Sequence, residues 1–237
     1  MNYYLIAQVS FVILTAICLL VIFKGLKIGI KNFEETQRKR ILKRYWIVLS
    51  IWIAFTSVAS LSGFTTDFDS LPPRPALFIV IPAIVLVFIL SSKQTSLILQ
   101  SIPPKYLINI QIFRVPVEFL LWLLLLAGVT PIQMTFEGQN FDILVGLTAP
   151  LAAYLAFARG RINRKLAIAW NVFGLVLLAN ILVIAVLSMP TPLRIFMNEP
   201  ANTEVGKFPV IFLPAILVPI AFYFHAFSIK QLLMKTK

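Results

Sequence analysis

Apolar segments close to 20 residues long recur along this chain and restrict its fold more than any other feature. A helix rises 1.5 Å per residue, so about 20 apolar residues cross the ~30 Å hydrocarbon core of a bilayer. We therefore predict an all-α fold: a polytopic membrane helical bundle with about seven transmembrane helices. The predicted spans are residues 3–23, 45–64, 75–92, 108–129, 141–157, 166–187 and 208–227.

Composition supports lipid as the solvent. The chain has 237 residues, of which 59% are hydrophobic and 13% are charged. Soluble domains carry about 25% charged residues, so a soluble globule could not bury this much apolar surface. The polar segments between the spans reach only about 20 residues, which is well short of a typical domain. We predict a single transmembrane domain over residues 1–237.

The basic residues predict the orientation of the bundle. With the N-terminus outside, 17 of the 21 lysine and arginine residues fall on the cytoplasmic side, three fall outside, and Arg114 lies within a span. Cytoplasmic loops concentrate positive charge, so we predict an external N-terminus and a cytoplasmic C-terminus in the plasma (inner) membrane. The net charge of +12 then faces lipid head groups of the bilayer, and no nucleic-acid partner is expected. Because no charged side chain precedes Lys24, the first span is expected to be retained rather than cleaved as a signal peptide.

The fourth predicted span carries two charges deep in the apolar zone. At 100° per residue, Gln111, Arg114 and Glu118 share one face of the helix. One interpretation is a polar cavity at the kink made by Pro116, where a small solute, an ion or a proton binds. The alternative is a structural ion pair between Arg114 and Glu118, which are one helical turn apart and therefore able to meet.

Two amides, Asn171 and Asn180, lie inside the sixth predicted span. They are nine residues apart and point to opposite sides of the helix. An amide facing lipid is unfavourable, so we predict that the sixth helix is central and has protein on both sides. One of the two amides could reach the cavity of the fourth span, and interhelical hydrogen bonds are the structural alternative.

Other titratable residues suggest further sites. His225, the only histidine, lies in the seventh span and is a candidate proton relay or a packed imidazole. Glu137 and Asp142 precede or begin the fifth span, and with Asp67 and Asp69 they could form an acidic outer vestibule that attracts cations. For Asp142 the alternative is a place in the first helical turn after an Asn140 cap, where the helix dipole favours an acid.

Several chemistries are disfavoured by what the sequence lacks. The single cysteine, Cys18, cannot form an intramolecular disulfide or a thiolate metal site, and no zinc or nucleotide-binding spacing occurs. The seventh span has no lysine between Lys207 and Lys230, which excludes the Schiff base of retinal proteins. We expect no metal site and no cofactor, and the sequence favours a non-enzymatic protein.

Three functional hypotheses follow from these residues. The leading hypothesis is a bundle that binds or passes a small solute, ion or proton, in which Arg114 holds an anionic group or tunes a proton- or cation-responsive Glu118. The second is a non-catalytic membrane scaffold or sensor subunit that acts through a partner. The third is a lipid-modifying membrane enzyme, which would need a cluster of polar groups at one leaflet boundary. The sequence specifies no oligomeric state.

Overall fold

The computed structural model describes residues 2–70, 72–158 and 162–234, and every regular element in these ranges is helical. Arg159, Arg161, Lys235 and Lys237, which contribute to the predicted charge bias, lie outside the described residues, as does Leu71 of a proline-rich loop. The α-helices are α1 (Tyr3–Gly29), α2 (Glu35–Leu61), α3 (Arg74–Ser91), α4 (Lys93–Ser101), α5 (Pro104–Asn109), α6 (Arg114–Leu126), α7 (Ile143–Ala156), α8 (Arg164–Leu187) and α9 (Val218–Leu233).

Six helical segments of the described chain are long and apolar enough to cross a membrane. Their bounds are Tyr3–Gly29, Glu35–Leu61, Arg74–Ser91, Pro104–Leu126, Arg164–Leu187 and Leu213–Leu233. The seventh predicted span corresponds in the structure to Leu213–Leu233, and the fifth corresponds to α7, which has only 14 residues. The all-helical prediction is confirmed, and the fifth apolar segment forms a helix shorter than expected.

Local sequence explains where the helices begin and end. The side chains of Asn2 and Asn163 each accept a hydrogen bond from the backbone N–H three residues on, at 3.1 Å, and so cap α1 and α8. Pro104 begins α5, where its missing N–H costs nothing. After α6, Gly128 adopts a φ of 71°, a left-handed conformation that suits glycine and ends the helix.

Two segments lose regular α-helical bonding next to prolines. A 3-10 turn, Ile110–Phe113, joins α5 to α6 just before Pro116, and a π-helical turn, Leu213–Leu217, precedes α9 around Pro214. Proline cannot donate a backbone hydrogen bond and clashes with the preceding turn, which explains why both segments deviate from a regular α-helix. The first of them adjoins Pro116, where the sequence predicts a kink.

The centre of the bundle is not where the sequence placed it. In the most apolar part of each span, 61% of the residues of Pro104–Leu126 and 50% of those of Leu213–Leu233 are buried, against 33% for α8. The α9 helix packs against α3, α5 and α8, whereas α8 packs mainly against α7 and α9. The prediction of a central sixth helix is therefore wrong: Asn171 faces the bundle, but Asn180 is only partly buried near one end.

We call the end of the bundle where α6 and α8 finish its distal end, and the end where they begin its proximal end. Between Gly128 and α7, the chain turns back along α6 from the distal end. Asn140 contacts Glu118, which lies eight residues, or about 12 Å, before the end of α6. Gln139 accepts a hydrogen bond from Asn180, which lies seven residues, or about 10 Å, before the end of α8. Residues 129–142, which we call the return segment, thus descend about 10 Å into the bundle, and α7 is short because it begins there.

The proline-rich distal loops are ordered by hydrogen bonds. Thr65 and Ser60 both donate to the carbonyl oxygen of Gly206, at 2.5 and 2.8 Å. The Arg194 guanidinium donates to the Glu199 carboxylate at 3.0 Å, and this contact lowers the pKa of Glu199 below its ordinary value of 4.5. These contacts tie separate loops together, in agreement with the low loop entropy that proline favours.

Candidate functional site: a buried polar network

Arg114, the first residue of α6, is 1% exposed, and its guanidinium makes a bidentate contact with the carboxylate of Asp142. Arg114 Nε donates to Asp142 Oδ2 at 2.6 Å, and Arg114 Nη2 makes a second, shorter contact with Asp142 Oδ1. A two-pronged pairing of this kind is the strongest arrangement between guanidinium and carboxylate. Arg114 is therefore paired across helices rather than with Glu118 on its own helix, because the return segment brings Asp142 to it.

His225 of α9 lies on the other side of the Arg114 guanidinium. Arg114 Nη1 is 3.0 Å from His225 Nε2, and His225 Nδ1 is 2.9 Å from Asn171 Oδ1. The Trp170 ring packs beside the imidazole, with ring centroids 5.5 Å apart. His225 thus joins a guanidinium from α6 to an amide from α8.

The chain of contacts continues toward the proximal end. Asn171 Nδ2 donates to Ser228 Oγ at 2.9 Å and to the carbonyl oxygen of Ala167 at 2.7 Å. Asn171 and His225 are fully buried, and Ser228 is 2% exposed. The side chains of Asn171, His225 and Ser228 therefore all have hydrogen-bond partners within the protein, as buried polar groups require.

Toward the distal end, Asn140 links Asp142 to Glu118. Asn140 Oδ1 accepts a hydrogen bond from the backbone N–H of Asp142 at 3.0 Å. Asn140 Nδ2 lies 2.7 Å from each carboxyl oxygen of Glu118 and 3.0 Å from the carbonyl oxygen of Met134. Glu118 is 1% exposed, so this amide is its nearest polar neighbour in a dry environment.

Together these residues form a continuous cluster that we call the polar network. It connects α6, α8, α9 and the return segment through contacts of 3.0 Å or less. Its members are Arg114, Glu118, Asn140, Asp142, Asn171, His225 and Ser228.

The network contains more acidic groups than basic groups. It contains one guanidinium cation and two carboxyl groups, and His225 is held neutral because its Nε2 faces a donor. An uncompensated charge in such an interior is costly. The cluster is electrically neutral only when one carboxyl group holds a proton. Because the Asp142 carboxylate is paired with Arg114, Glu118 is the carboxyl group that can carry this proton.

The remaining residues predicted from sequence lie outside the network. Gln111 is fully buried and donates to the carbonyl oxygen of Ala221 at 3.0 Å, while its own Oε1 has no protein partner. Asn180 donates to the return segment and does not reach Arg114. Glu137 is exposed and accepts a hydrogen bond from Trp122 Nε1 at 2.7 Å.

The predicted outer vestibule is not assembled. Asp142 is 5% exposed and pairs with Arg114, so it does not line a solvent-facing surface. Asp67 pairs with Arg74 at 2.7 Å and is neutralised there. Asp142 is the N-cap residue of α7, at the helix end where the dipole favours an acid, but its carboxylate pairs with Arg114 and makes no side-chain cap.

Sequence reasoning missed two members of the network, Asn140 and Ser228, and missed the pairing partner of Arg114. One signal was available for Asn140 and Asp142. They adjoin the shortest apolar segment of the chain, and a helix too short to cross the bilayer must begin inside it, which draws its flanking polar residues inward. No comparable signal marked Ser228, since a serine in an apolar helix is common in membrane proteins.

Among the residues that the structure describes, no three His, Cys, Asp or Glu side chains come together in a way that could hold a metal ion. A cavity of about 740 Å³ lies beside the network, between α1, α6 and α7, and its lining is almost wholly apolar. No network residue lines it.

The fold and the network define a class: an all-helical protein with six segments suited to crossing a membrane and a charged cluster buried among them. A family model described as "Domain of unknown function (DUF8737)" matches residues 73–233, and the chain belongs to this family. The matched region contains the whole polar network, whereas α1 and α2 precede it. Neither a curated protein nor a solved structure matches the chain.

Proposed function

We propose that this protein is a non-enzymatic, multi-pass membrane protein that binds or passes a proton through the polar network, with Glu118 as the group that gains and loses it. The observation that most supports this proposal is the continuous series of polar contacts from Glu118 to Ser228, with the Arg114 guanidinium at its centre. Intramembrane ionisable residues are expensive to keep, which favours a functional role over a purely structural one.

The proposed placement has seven crossings, the N-terminus outside, and the C-terminus in the cytoplasm, in the plasma (inner) membrane. The return segment supports the seventh crossing, because its descent of about 10 Å adds to the ~21 Å length of α7. Together they reach the ~30 Å that a bilayer core requires. The proximal end then faces the cytoplasm and carries Arg164 and Lys165, in agreement with the charge bias.

A proton fits the network better than a larger solute does. The side chains of the network contact one another directly, so no solute-sized space separates them. The neighbouring cavity is apolar and could not replace the hydration of an ion. A proton needs only a titratable group to hold it, and Glu118 is the carboxyl group of the network that Arg114 does not pair with.

A scaffold or sensor subunit is the second candidate function, and a specific observation favours it. The guanidinium of Arg114 has partners on every side, and such satisfied buried networks make a core rigid and unique. In this candidate the network stabilises the bundle and nothing moves through it. A lipid-modifying enzyme has less support, because the polar groups converge at mid-depth rather than at a leaflet boundary.

Proton flux distinguishes the two candidates. The protein is reconstituted in liposomes that contain a pH-sensitive dye, and a potassium diffusion potential drives proton entry. We expect wild-type protein to acidify the lumen faster than empty liposomes, and Glu118→Gln to abolish the difference because an amide cannot exchange the proton. Glu35→Gln is the matched control, since Glu35 is an exposed carboxylate on α2 that pairs with Lys39.

Equal flux in wild-type and Glu118→Gln liposomes, with both proteins folded, would remove the proton role and leave the scaffold candidate. Loss of flux in both carboxylate variants would point to a general defect and would also contradict the assignment of Glu118. Topology is tested separately with single-cysteine variants in a Cys18→Ser background. Labelling of cysteines near residue 165 from outside intact cells would overturn the proposed orientation.

A further inference from the structure

An apolar groove opens on the side of the bundle between α1, α6 and α7. Its volume of about 740 Å³ lies within the ~300–1,000 Å³ that ligand pockets typically have. Residues on its rim, Ile17, Ile112 and Leu147, are 52%, 51% and 59% exposed, so the groove faces the surface that we place in lipid. Its interior includes the buried residues Leu14, Cys18 and Phe113.

The groove has the length of one lipid leaflet. Along its wall, Tyr106 and Pro116 are ten residues apart, which corresponds to about 15 Å of helix. Half of the ~30 Å hydrocarbon core is the same length. At the proximal end, the Tyr106 ring closes the groove against Gly25, where a Cβ would come within 2.7 Å of the ring.

Two exposed lysines flank this closed end. Lys24 follows Val21, a groove residue, by one helical turn on α1, and Lys105 directly precedes Tyr106. Lys24 is 21 residues, or about 31 Å, from the start of α1, which sets it at the membrane surface when α1 spans the core. Neither lysine pairs with a carboxylate in the described part of the chain.

We propose that this groove is a binding site for one anionic phospholipid, with an acyl chain in the apolar groove and the phosphate held by Lys24 and Lys105. The apolar lining selects a hydrocarbon chain, and the two cations at its surface end select a negative head group. The inference rests on the membrane placement proposed above but not on the proton chemistry, and a wild-type level of proton flux in Glu118→Gln leaves it intact.

Photo-cross-linking in vesicles tests the site. The full-length protein is reconstituted in phosphatidylcholine vesicles with a small fraction of phosphatidylglycerol that carries a diazirine on its acyl chain. A matched set of vesicles carries the diazirine on phosphatidylcholine. We expect the phosphatidylglycerol probe to label groove residues more strongly, and Lys24→Gln and Lys105→Gln each to reduce that labelling about fivefold.

Two tryptophan variants on α1 separate the groove from the general lipid surface. Val21→Trp fills the groove from its exposed side and should abolish the labelling of groove residues. Leu20→Trp, one position away, is 58% exposed and does not line the groove, so it should leave the labelling unchanged. Equal labelling by the two probes would mean that only bulk lipid fills the groove and would overturn the proposal, whether or not Val21→Trp folds. Unchanged labelling in a folded Val21→Trp protein would overturn it as well.

Discussion

Arg114 Nη1 lies 3.0 Å from His225 Nε2, and this contact fixes the state of the only histidine in the chain. A guanidinium can only donate hydrogen bonds, so Nε2 must accept and cannot carry a proton. Nδ1 then carries the proton and donates it to Asn171 Oδ1, 2.9 Å away. His225 is therefore a neutral imidazole in its Nδ1–H tautomer, and it acts as a bridge between α6 and α8.

The tautomer of His225 is directly measurable. We expect nitrogen NMR of protein labelled only in histidine to show a protonated Nδ1 and an unprotonated Nε2 at neutral pH. Because the chain has one histidine, the spectrum needs no assignment. An imidazolium, or the opposite tautomer, would contradict the contact with Arg114. Asn171→Leu should shift the Nδ1 resonance, since it removes the acceptor of the Nδ1 proton, while Nε2 should stay unprotonated beside Arg114.

The pairing of Arg114 with Asp142 predicts a strong thermodynamic coupling. Removing one partner of a buried ion pair leaves the other group without its hydrogen-bonded counter-charge and costs about 3–5 kcal/mol of stability. We expect Asp142→Asn and Arg114→Gln each to lower the free energy of unfolding by about that amount. The double variant should cost much less than the sum of the two, because no unpaired charge remains. Unfolding in detergent micelles, followed by tryptophan fluorescence, measures all three.

Glu137→Gln is the control for that cycle, because Glu137 is exposed and lies five residues from Asp142 in the chain. It should change stability by less than about 0.5 kcal/mol, as is usual for surface substitutions. Additive costs for Asp142→Asn and Arg114→Gln would contradict a direct pairing between the two side chains.

Gly174 on α8 provides the space that His225 occupies. A Cβ at this position would lie 2.4 Å from His225 Cε1 and 2.5 Å from Nε2, so the imidazole could not stay in place. We expect Gly174→Ala to displace His225 from Arg114 and to lower the free energy of unfolding by about 1–3 kcal/mol. The nitrogen NMR signature of His225 should change in the same variant.

A second substitution shows whether this effect passes through the imidazole. In a His225→Ala background the space is empty, so Gly174→Ala should cost little or should even stabilise α8, because alanine favours helices more than glycine does. An equal cost of Gly174→Ala in both backgrounds would mean that Gly174 acts through some other neighbour.

The distal loop that contains Arg194 and Glu199 should loosen in acid. Because the pKa of folded Glu199 is lowered below 4.5, its contribution to stability is present above that value and is lost as the pH falls through the lowered pKa. Above about pH 4 to 5, we expect hydrogen exchange in residues 194–202 to be slower in the wild-type protein than in Glu199→Gln at the same pH. At lower pH the two rates should converge, because the wild-type carboxyl group is then protonated. A difference that persists in strong acid would rule out the ionised carboxylate as the cause.

The sequence predicted the spans because a bilayer imposes a length and a polarity that any crossing helix must satisfy. Pro104 and Gly128 bound the helical segment that carries Arg114, and both act on local backbone geometry. Arg114 and Glu118 were recognised as important for the same reason: charges in an apolar run are visible without any structure. The pairing of the two was left open, because residues four apart on a helix are able to meet but need not.

Only the tertiary structure decided which partners these charges have. Asp142 is 28 residues beyond Arg114 and reaches it because the return segment descends along α6, a path that no local pattern encodes. His225 and Ser228 join the network through the packing of α8 against α9, and Asn180 is excluded from it by its depth along α8. Local chemistry thus determined which side chains needed polar partners inside the membrane. The contacts between distant segments decided which partners they found, because a buried charge can be paired by any element that packing brings within reach.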